Sequence, residues 1–142
     1  LGVIEHFWSG YGEISTEMKR VIKKDGYLFL TFPYMSPLRK VKALLKMYPE
    51  LDTKKFDQAL FYQFALNHKE VINHFHNKGF ELVYKKSLDG VNGIRNECCS
   101  GSSLVNSVYS SNAFIFRALR FLINQTFSWF SGHIILLVFR KR

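Results

Sequence analysis

"EISTEMKRVIKKDGYLFLTFPY", residues 13–34, decides how this chain is read. Its first half places Ile14, Met18, Val21 and Ile22 at i, i+4, i+7 and i+8, one apolar stripe of an amphipathic helix. Lys23 and Lys24 fall in the last turn, where cations suit the helix dipole, and Gly26 can take the left-handed position that closes a helix. "YLFLTF" follows at once. A continuous apolar run of strand length is the pattern of a strand covered on both faces, as in parallel sheets. A helix passing through a short turn into such a strand is one step of an α/β alternation.

The flanking sequence continues that alternation. Upstream, "LGVIEHF" (residues 1–7) reads as the end of a buried strand running into a loop that carries Glu5 and His6. Downstream, Ser36 can cap a helix with Pro37 at its first position. Its stripe of Leu38, Val41, Leu45 and Tyr48 is expected to dock on the sheet, with Arg39, Lys40, Lys42 and Lys46 in water. "PELDTKKFDQALFYQFAL" is mixed and reads as a loop with short helical pieces. "NHKEVINHFHNKGF" is a helix with the capping-box spacing Asn67–Glu70 and a terminating Gly79. "FELVYKK" reads as a strand, and the Ser-, Gly- and Asn-rich stretch from Ser87 to Asn112 as loop. "AFIFRALRFLINQTF" is a further helix and "HIILLVF" a final strand. The whole predicts an α/β sandwich around a mostly parallel sheet, with no internal repeat.

The 142 residues suit one domain with a real core. Hydrophobic residues make up 47% and charged residues 22%, a balance that excludes a disordered chain. Aromatics reach 16%, with 14 Phe, enough to line a core or a pocket with rings. The net charge of +9 favours anionic partners, or is simply a solvated basic surface. Cys98 and Cys99 are adjacent. They do not readily bridge each other and cannot alone complete a tetrahedral zinc site, so a reduced protein without disulfides or a metal is expected. Phe121 to Phe139 is free of charge and long enough to span a bilayer. Asn124, Gln125, Thr126, Ser128, Ser131, Gly132 and His133 interrupt it. It therefore reads as a helix end, a turn at Ser131–Gly132 and a buried strand.

"HFWSGYGEIS" looks at first like a dinucleotide fingerprint. Ser15 stands where the third glycine belongs, Gly10 is several residues past the apolar segment, and the next strand ends in Pro33 instead of an acid. A nucleotide loop is rejected. His74 and His76 are two apart on a helix and face away from each other, and His68 and His133 have no sequence partner, so all four read as polar or satisfied side chains. His6 differs. It follows Glu5 at the carboxyl end of a predicted strand, where open α/β sheets bind ligands, and an imidazole titrates near neutrality.

"LGVIEHF", then "EISTEMKRVIKKDGYLFLTFPY", resembles the middle of class I S-adenosylmethionine-dependent methyltransferases of the type 11 group. "FYQFALNHKEVINHFHNKGFELV" is similar to that family's later lid, helix and "GFE" strand, and "GHIILLVFRK" to its terminal strand. The likeness runs in order along nearly the whole chain. The family holds its cofactor through a glycine-rich loop and an acid upstream of the Glu-His strand, and neither is in these residues. Lys24-Asp25-Gly26 replaces the usual Pro-Gly-Gly. The resemblance thus implies residues 1–142 as the C-terminal part of one Rossmann-like methyltransferase domain, with lid and insertion segments at about 49–66 and 87–132. It implies a last strand lying antiparallel between the other two, in the order first, third, second.

The resemblance further implies methyl transfer from S-adenosylmethionine to an unidentified small-molecule or lipid-like acceptor, within a longer parent enzyme. The fragment alone is expected to be inactive, with the absent N-terminal half as its partner. Glu5, His6 and Phe7 would flank the methionine end of the cofactor. His6 would be the base or acceptor-orienting group, and Tyr34, Tyr62, Gln63 and Phe64 would shape the acceptor pocket. A cytoplasmic location with peripheral membrane contact is expected. The rival reading is a non-catalytic basic module that binds anionic lipid or nucleic acid through Arg39, Lys40, Lys42, Lys46, Arg117, Arg120 and residues 140–142, nucleic acid being the less favoured. A non-catalytic half that pairs with another chain is a third.

Overall fold

The last strand of the chain lies in the middle of the sheet. In a computed structural model, which describes residues 2–49, 61–98 and 101–142, three strands are ordered β1–β3–β2. β1 is Tyr27–Pro33, β2 Phe80–Leu88 and β3 Ile134–Lys141. Asp25 N–H donates to the Lys141 carbonyl and Lys141 N–H to the Gly26 carbonyl, both at 2.9 Å, so the end of β3 meets the start of β1. Arg142 N–H donates to Gly79 at 3.0 Å, so the same end meets the start of β2. Both ladders are therefore antiparallel. The α/β class holds, as do the strand order and the antiparallel last strand. The mostly parallel sheet does not: β1 and β2 point the same way but are separated by β3 and never pair.

The chain divides into two compact units. One comprises Leu1–Tyr34, Tyr48–Lys86 and Ile135–Arg142, the other Met35–Met47 and Ser87–Ile134. In the first, Leu28, Leu30 and Phe32 of β1 share a core with Ile135, Leu137 and Phe139 of β3, Phe80 of β2, and Val71 and Phe75 of α3 (His68–Asn77). The Phe75 ring stacks on Phe139 at 5.2 Å and meets Phe80 edge-on at 5.7 Å. Ile14, Met18 and Ile22 of the α1 segment (α1 is Gly12–Val21) pack against this core, while Val21, the fourth member of the expected stripe, is exposed. Tyr27 and Phe29 are each 56% exposed. β1 is thus covered on one face only, contrary to the reading of its unbroken apolar run. Such a run cannot by itself distinguish one covered face from two.

Local signals explain the helix ends. Asn67 Oδ1 accepts from Lys69 N–H at 3.2 Å and its Nδ2 donates to Glu70 at 2.7 Å, so the capping pair closes through side chains. Gly79 follows α3 at φ +87°. After α1 the left-handed residue is Asp25, at φ 62°, and not Gly26. Gly26 is needed for space instead, since a Cβ there would lie 2.8 Å from the Lys23 carbonyl. The expected strand end at "LGVIEHF" is a single 3-10 turn, Ile4–His6, preceded by one bond from Gly2 N–H to the Thr31 carbonyl at 3.0 Å.

The second unit holds α2 (Pro37–Leu44), α4 (Gly90–Glu97), α5 (Ser103–Ser110), α6 (Phe114–Thr126) and α7 (Ser128–Ser131). Two of these helices fall within Ser87–Asn112, which the sequence reads as loop. The small residues there serve packing. A Cβ at Gly90 would sit 2.9 Å from Ser128 Oγ, and one at Gly93 would collide with the Ser131 carbonyl. Ser131 Oγ donates to the Gly90 carbonyl at 3.0 Å, and Gly90 N–H donates to Ser128 Oγ at 3.1 Å. α2 begins as expected, Ser36 Oγ accepting from Arg39 N–H at 3.4 Å. Its faces follow the expectation only in part: Lys40 and Lys46 are exposed and Leu38 is half-buried, but Arg39 is buried while Val41 and Leu45 are exposed.

This backbone-to-backbone fit makes Gly93→Ala the informative substitution. It is expected to lower the urea midpoint by the equivalent of about 1–3 kcal/mol or more, the cost of overpacking. Gly12→Ala meets no heavy atom within 4 Å and should shift stability by less than about 0.5 kcal/mol. Equal midpoints for the two variants would refute the close α4–α7 contact.

Candidate functional site

Residues 61–66 run extended beside the Ile4–His6 turn and the end of β1. Phe64 N–H donates to the Glu5 carbonyl and Leu66 N–H to the Pro33 carbonyl, both at 2.9 Å, and Leu66 pairs with Tyr34 in a parallel bridge. These bonds bring together residues far apart in sequence. His6 Nδ1 lies 2.6 Å from the Tyr62 carbonyl. A carbonyl only accepts, so Nδ1 carries the proton and a neutral His6 keeps its lone pair on Nε2. That Nε2 is 3.8 Å from Glu5 Oε1, and the Tyr62 ring meets the imidazole edge-on at 5.3 Å.

Glu5 is 2% exposed, and its Oε2 finds no hydrogen-bond partner among the described residues. A buried acceptor without a donor costs free energy, so it marks a place built for something other than stability. Phe7 is partly exposed and lines a cavity of about 370 Å³ with Ser9, Gly10, Gly12, Glu13, Ile14 and Glu17. Gly10, at φ +89°, and Gly12 have open space around them. Tyr34 is buried, its ring 5.6 Å from His68. Tyr62 is exposed and Gln63 half-buried.

The sequence reading missed two aromatic members. Trp8 stacks on Phe64 at 5.5 Å and meets Phe61 edge-on at 5.1 Å, and Phe61 and Phe64 are 4.4 Å apart. The signal was the run "HFW" directly after Glu5. His74, read as a polar or satisfied side chain, is satisfied: its Nε2 lies 2.7 Å from Ser15 Oγ, whose hydroxyl donates to the Gly12 carbonyl at 2.7 Å. The imidazole is therefore the donor, another neutral tautomer fixed by its partner. Burial, then the Lys78 charge, holds its pKa below the ordinary imidazole value.

The basic residues singled out for anion binding are largely engaged. Arg39 Nε pairs with Glu97 Oε1 at 2.7 Å and Lys42 Nζ with Glu97 Oε2 at 3.0 Å, all three mostly buried. Arg120 donates to the carbonyls of Val108 and Tyr109. Arg140 and Arg142 each reach Glu81 at 3.4 Å, and Lys141 Nζ donates to the Lys19 and Ile22 carbonyls at 2.7 Å. Lys40, Lys46 and Arg117 are exposed. No group of three or more potential metal ligands occurs among the described residues, and no helix among them is long and apolar enough to cross a membrane. Cys98 is a free, exposed thiol. Cys99 lies outside the described residues, as does most of the lid segment between residues 49 and 61.

Comparison with protein-family models and with curated proteins gives no match to this chain.

The Arg39 cluster carries a pH dependence. His133 Nδ1 is 2.8 Å from Arg39 Nη2. A guanidinium offers no lone pair, so Nδ1 accepts and the ring is neutral. Burial first, then Arg39, lowers the His133 pKa, against the opposing pull of Asp89 and Glu97. The unfolded chain takes up its proton near the ordinary value of about 6.5, before the folded one does. Stability is thus full above that pH and falls as pH drops toward the folded pKa. His133→Asn keeps an acceptor near Nδ1 without a titrating group. It should shallow the fall of the urea midpoint between about pH 7 and pH 5, leaving the share due to His74. An unchanged slope would remove His133 as a source.

Proposed function

We propose that this chain carries the acceptor side of an S-adenosylmethionine-dependent methyltransferase site, acting on a small-molecule or lipid-like acceptor as part of a longer enzyme. The reading treats the chain as the C-terminal portion of a Rossmann-like methyltransferase sandwich. One observation carries it above all: Glu5–His6 and the Tyr62–Phe64 segment, both singled out by the family resemblance, meet at the carboxyl end of β1, joined by the His6–Tyr62 and Glu5–Phe64 bonds. The strand order β1–β3–β2 with an antiparallel last strand supports the same reading.

The residues present fit the methionine end of that cofactor. Glu5 Oε2 is an orphaned acceptor suited to an ammonium, and the Phe7 cavity adjoins open glycines. When bound, the cofactor supplies an electrophilic methyl on a sulfonium. The chain's own groups do the rest. His6 Nε2 takes the proton that the acceptor releases, while the Tyr62 carbonyl holds the other ring nitrogen protonated and fixes the tautomer. The protonated ring then has the Glu5 carboxylate 3.8 Å away. Trp8, Phe61 and Phe64 pack on one another and brace the segment that carries Tyr62. Positioning, more than chemistry by the protein, supplies the rate.

The test uses the natural gene product that carries these residues. S-adenosylhomocysteine binding is measured by calorimetry, and labelled methyl transfer from S-adenosylmethionine is followed into small-molecule and lipid extracts. His6→Ala should lower transfer by about a hundredfold, the low end for loss of general base catalysis, and change the Kd by less than about threefold. Full activity in His6→Ala would take His6 out of the site. Failure of the wild-type product to bind S-adenosylhomocysteine would overturn the methyltransferase reading.

A further inference from the structure

We propose that α6 and α7 form an interfacial face that docks the second unit on an anionic lipid bilayer. The first reason is an inversion of polarity. Phe114, Ala118 and Phe121, and beside them Ile115, Leu119 and Leu122, recur at i, i+4 and i+7, two neighbouring stripes of one helix. Phe114 is 85% exposed, Ile115 71%, Phe121 62% and Leu122 56%. Two polar residues of α6 turn the other way, while Arg117, Gln125 and Thr126 are exposed. Arg120 donates to the Val108 and Tyr109 carbonyls, and Asn124 Oδ1 accepts from Val91 N–H at 3.1 Å. The helix thus turns two of its polar side chains toward the unit and shows most of its large apolar ones to the outside. A contiguous apolar surface of this kind marks an interaction site.

Composition and charge select the bilayer as the occupant. The stripe continues into Phe127 and Trp129, both exposed, and Trp and Phe suit the boundary between headgroups and acyl chains. No Asp or Glu occurs after Glu97 in the chain. The second unit holds seven Lys and Arg against two acids, and one of those acids, Glu97, is already spent on Arg39 and Lys42. Its exposed Lys40, Lys46 and Arg117 have no ion pair among the described residues, which suits them to lipid phosphates and carboxylates. Large apolar side chains dominate the exposed face, with Arg117 and Gln125 among them, a mixture that suits the boundary of a fluid apolar phase with charged headgroups. α6 has 13 residues, roughly 20 Å at 1.5 Å per residue, too short to span. It would lie in the interface plane. An apolar cavity of about 140 Å³ beside it, lined by Val91, Val108, Leu119 and Ile123 among others, offers room for part of an acyl chain. The inference stands whether or not the chain transfers methyl groups.

The chain has two tryptophans, so a Trp8→Phe background leaves Trp129 as the one reporter. Vesicles of phosphatidylcholine, and of phosphatidylcholine with about one-third phosphatidylserine, are used for flotation and for Trp129 emission at low and high salt. The expected result is a blue shift and flotation with the anionic vesicles, at least about tenfold weaker with neutral ones or at high salt, and quenching by lipids brominated near the headgroup. Phe121→Ser with Leu122→Ser should weaken binding by about tenfold or more while leaving helicity and the melting midpoint unchanged. Three results would overturn the proposal: no vesicle binding; binding to anionic vesicles that the double variant retains, which is surface charge alone; or a dimer in vesicle-free solution with Trp129 already shielded from acrylamide, which makes a second copy the occupant.

Discussion

The first unit depends on β3 entering between two strands that cannot pair without it. β1 and β2 each have their hydrogen bonds to the sheet through β3, and β3 supplies Ile135, Leu137 and Phe139 to the centre of the core. Its last residues tie both partners at their starts, through Gly26 and Gly79. The two glycines are adjacent to left-handed backbone, at Asp25 and at Gly79 itself, which lets each helix stop and turn sharply into its strand. Helix length, turn and register are therefore coupled. A slip of one residue in β3 would carry Ile135, Leu137 and Phe139 to the opposite face of the sheet, away from the core they share with β1 and α3.

That same register places the candidate site. β1 ends at Pro33, whose carbonyl is free to accept from Leu66 because a strand end has no further ladder partner on that side. The extended 61–66 segment is thereby aligned with the Ile4–His6 turn, and two backbone bonds set the Tyr62 carbonyl against His6. The imidazole is oriented by main chain, which is stiffer than a side-chain partner. The site is in this sense a consequence of where β1 stops.

Much of the first unit was legible. The α1 stripe, the Asn67–Glu70 pair, Gly79 and the apolar runs of β1 and β3 are local signals, and the structure uses each nearly where it falls. What was not legible depends on partners distant in sequence. The run "YLFLTF" is equally apolar on both faces, so only the assembled sheet shows that Tyr27 and Phe29 lack cover. Gly26 reads as a conformational glycine but serves close approach to Lys23. Ser87–Asn112 looks like loop because its Ser, Gly and Asn residues are those of turns. Gly90 and Gly93 are small for another reason, to let α4 reach the backbone of α7. α2 shows the opposite failure: its periodicity is right, but Glu97 draws Arg39 and Lys42 inward and leaves Val41 and Leu45 exposed. The Glu5–His6 pair was visible from position, and Trp8 and Phe61 became visible only through the lid contact.

Two features go against the economy of the fold, and both bear on function. Glu5 is buried with an oxygen that has no partner among the described residues, and α6 exposes rings while Arg120 and Asn124 bond into the unit. Each lowers the stability of the isolated chain, by desolvation in the first case and by lost burial in the second. A Ser or Lys at 114 or 121 would be better solvated, so the exposed rings are not forced by the backbone. Sequences that specify a fold consistently tend to break their own rules where something else has to bind. The two violations differ in kind. One is a single charged acceptor beside a histidine of fixed tautomer, suited to a small cationic group and a proton transfer. The other is a broad apolar stripe next to uncompensated cations, suited to an extended anionic phase. On the two proposals the first would be chemistry at a point and the second adhesion over an area, so each is open to removal by substitution without the other.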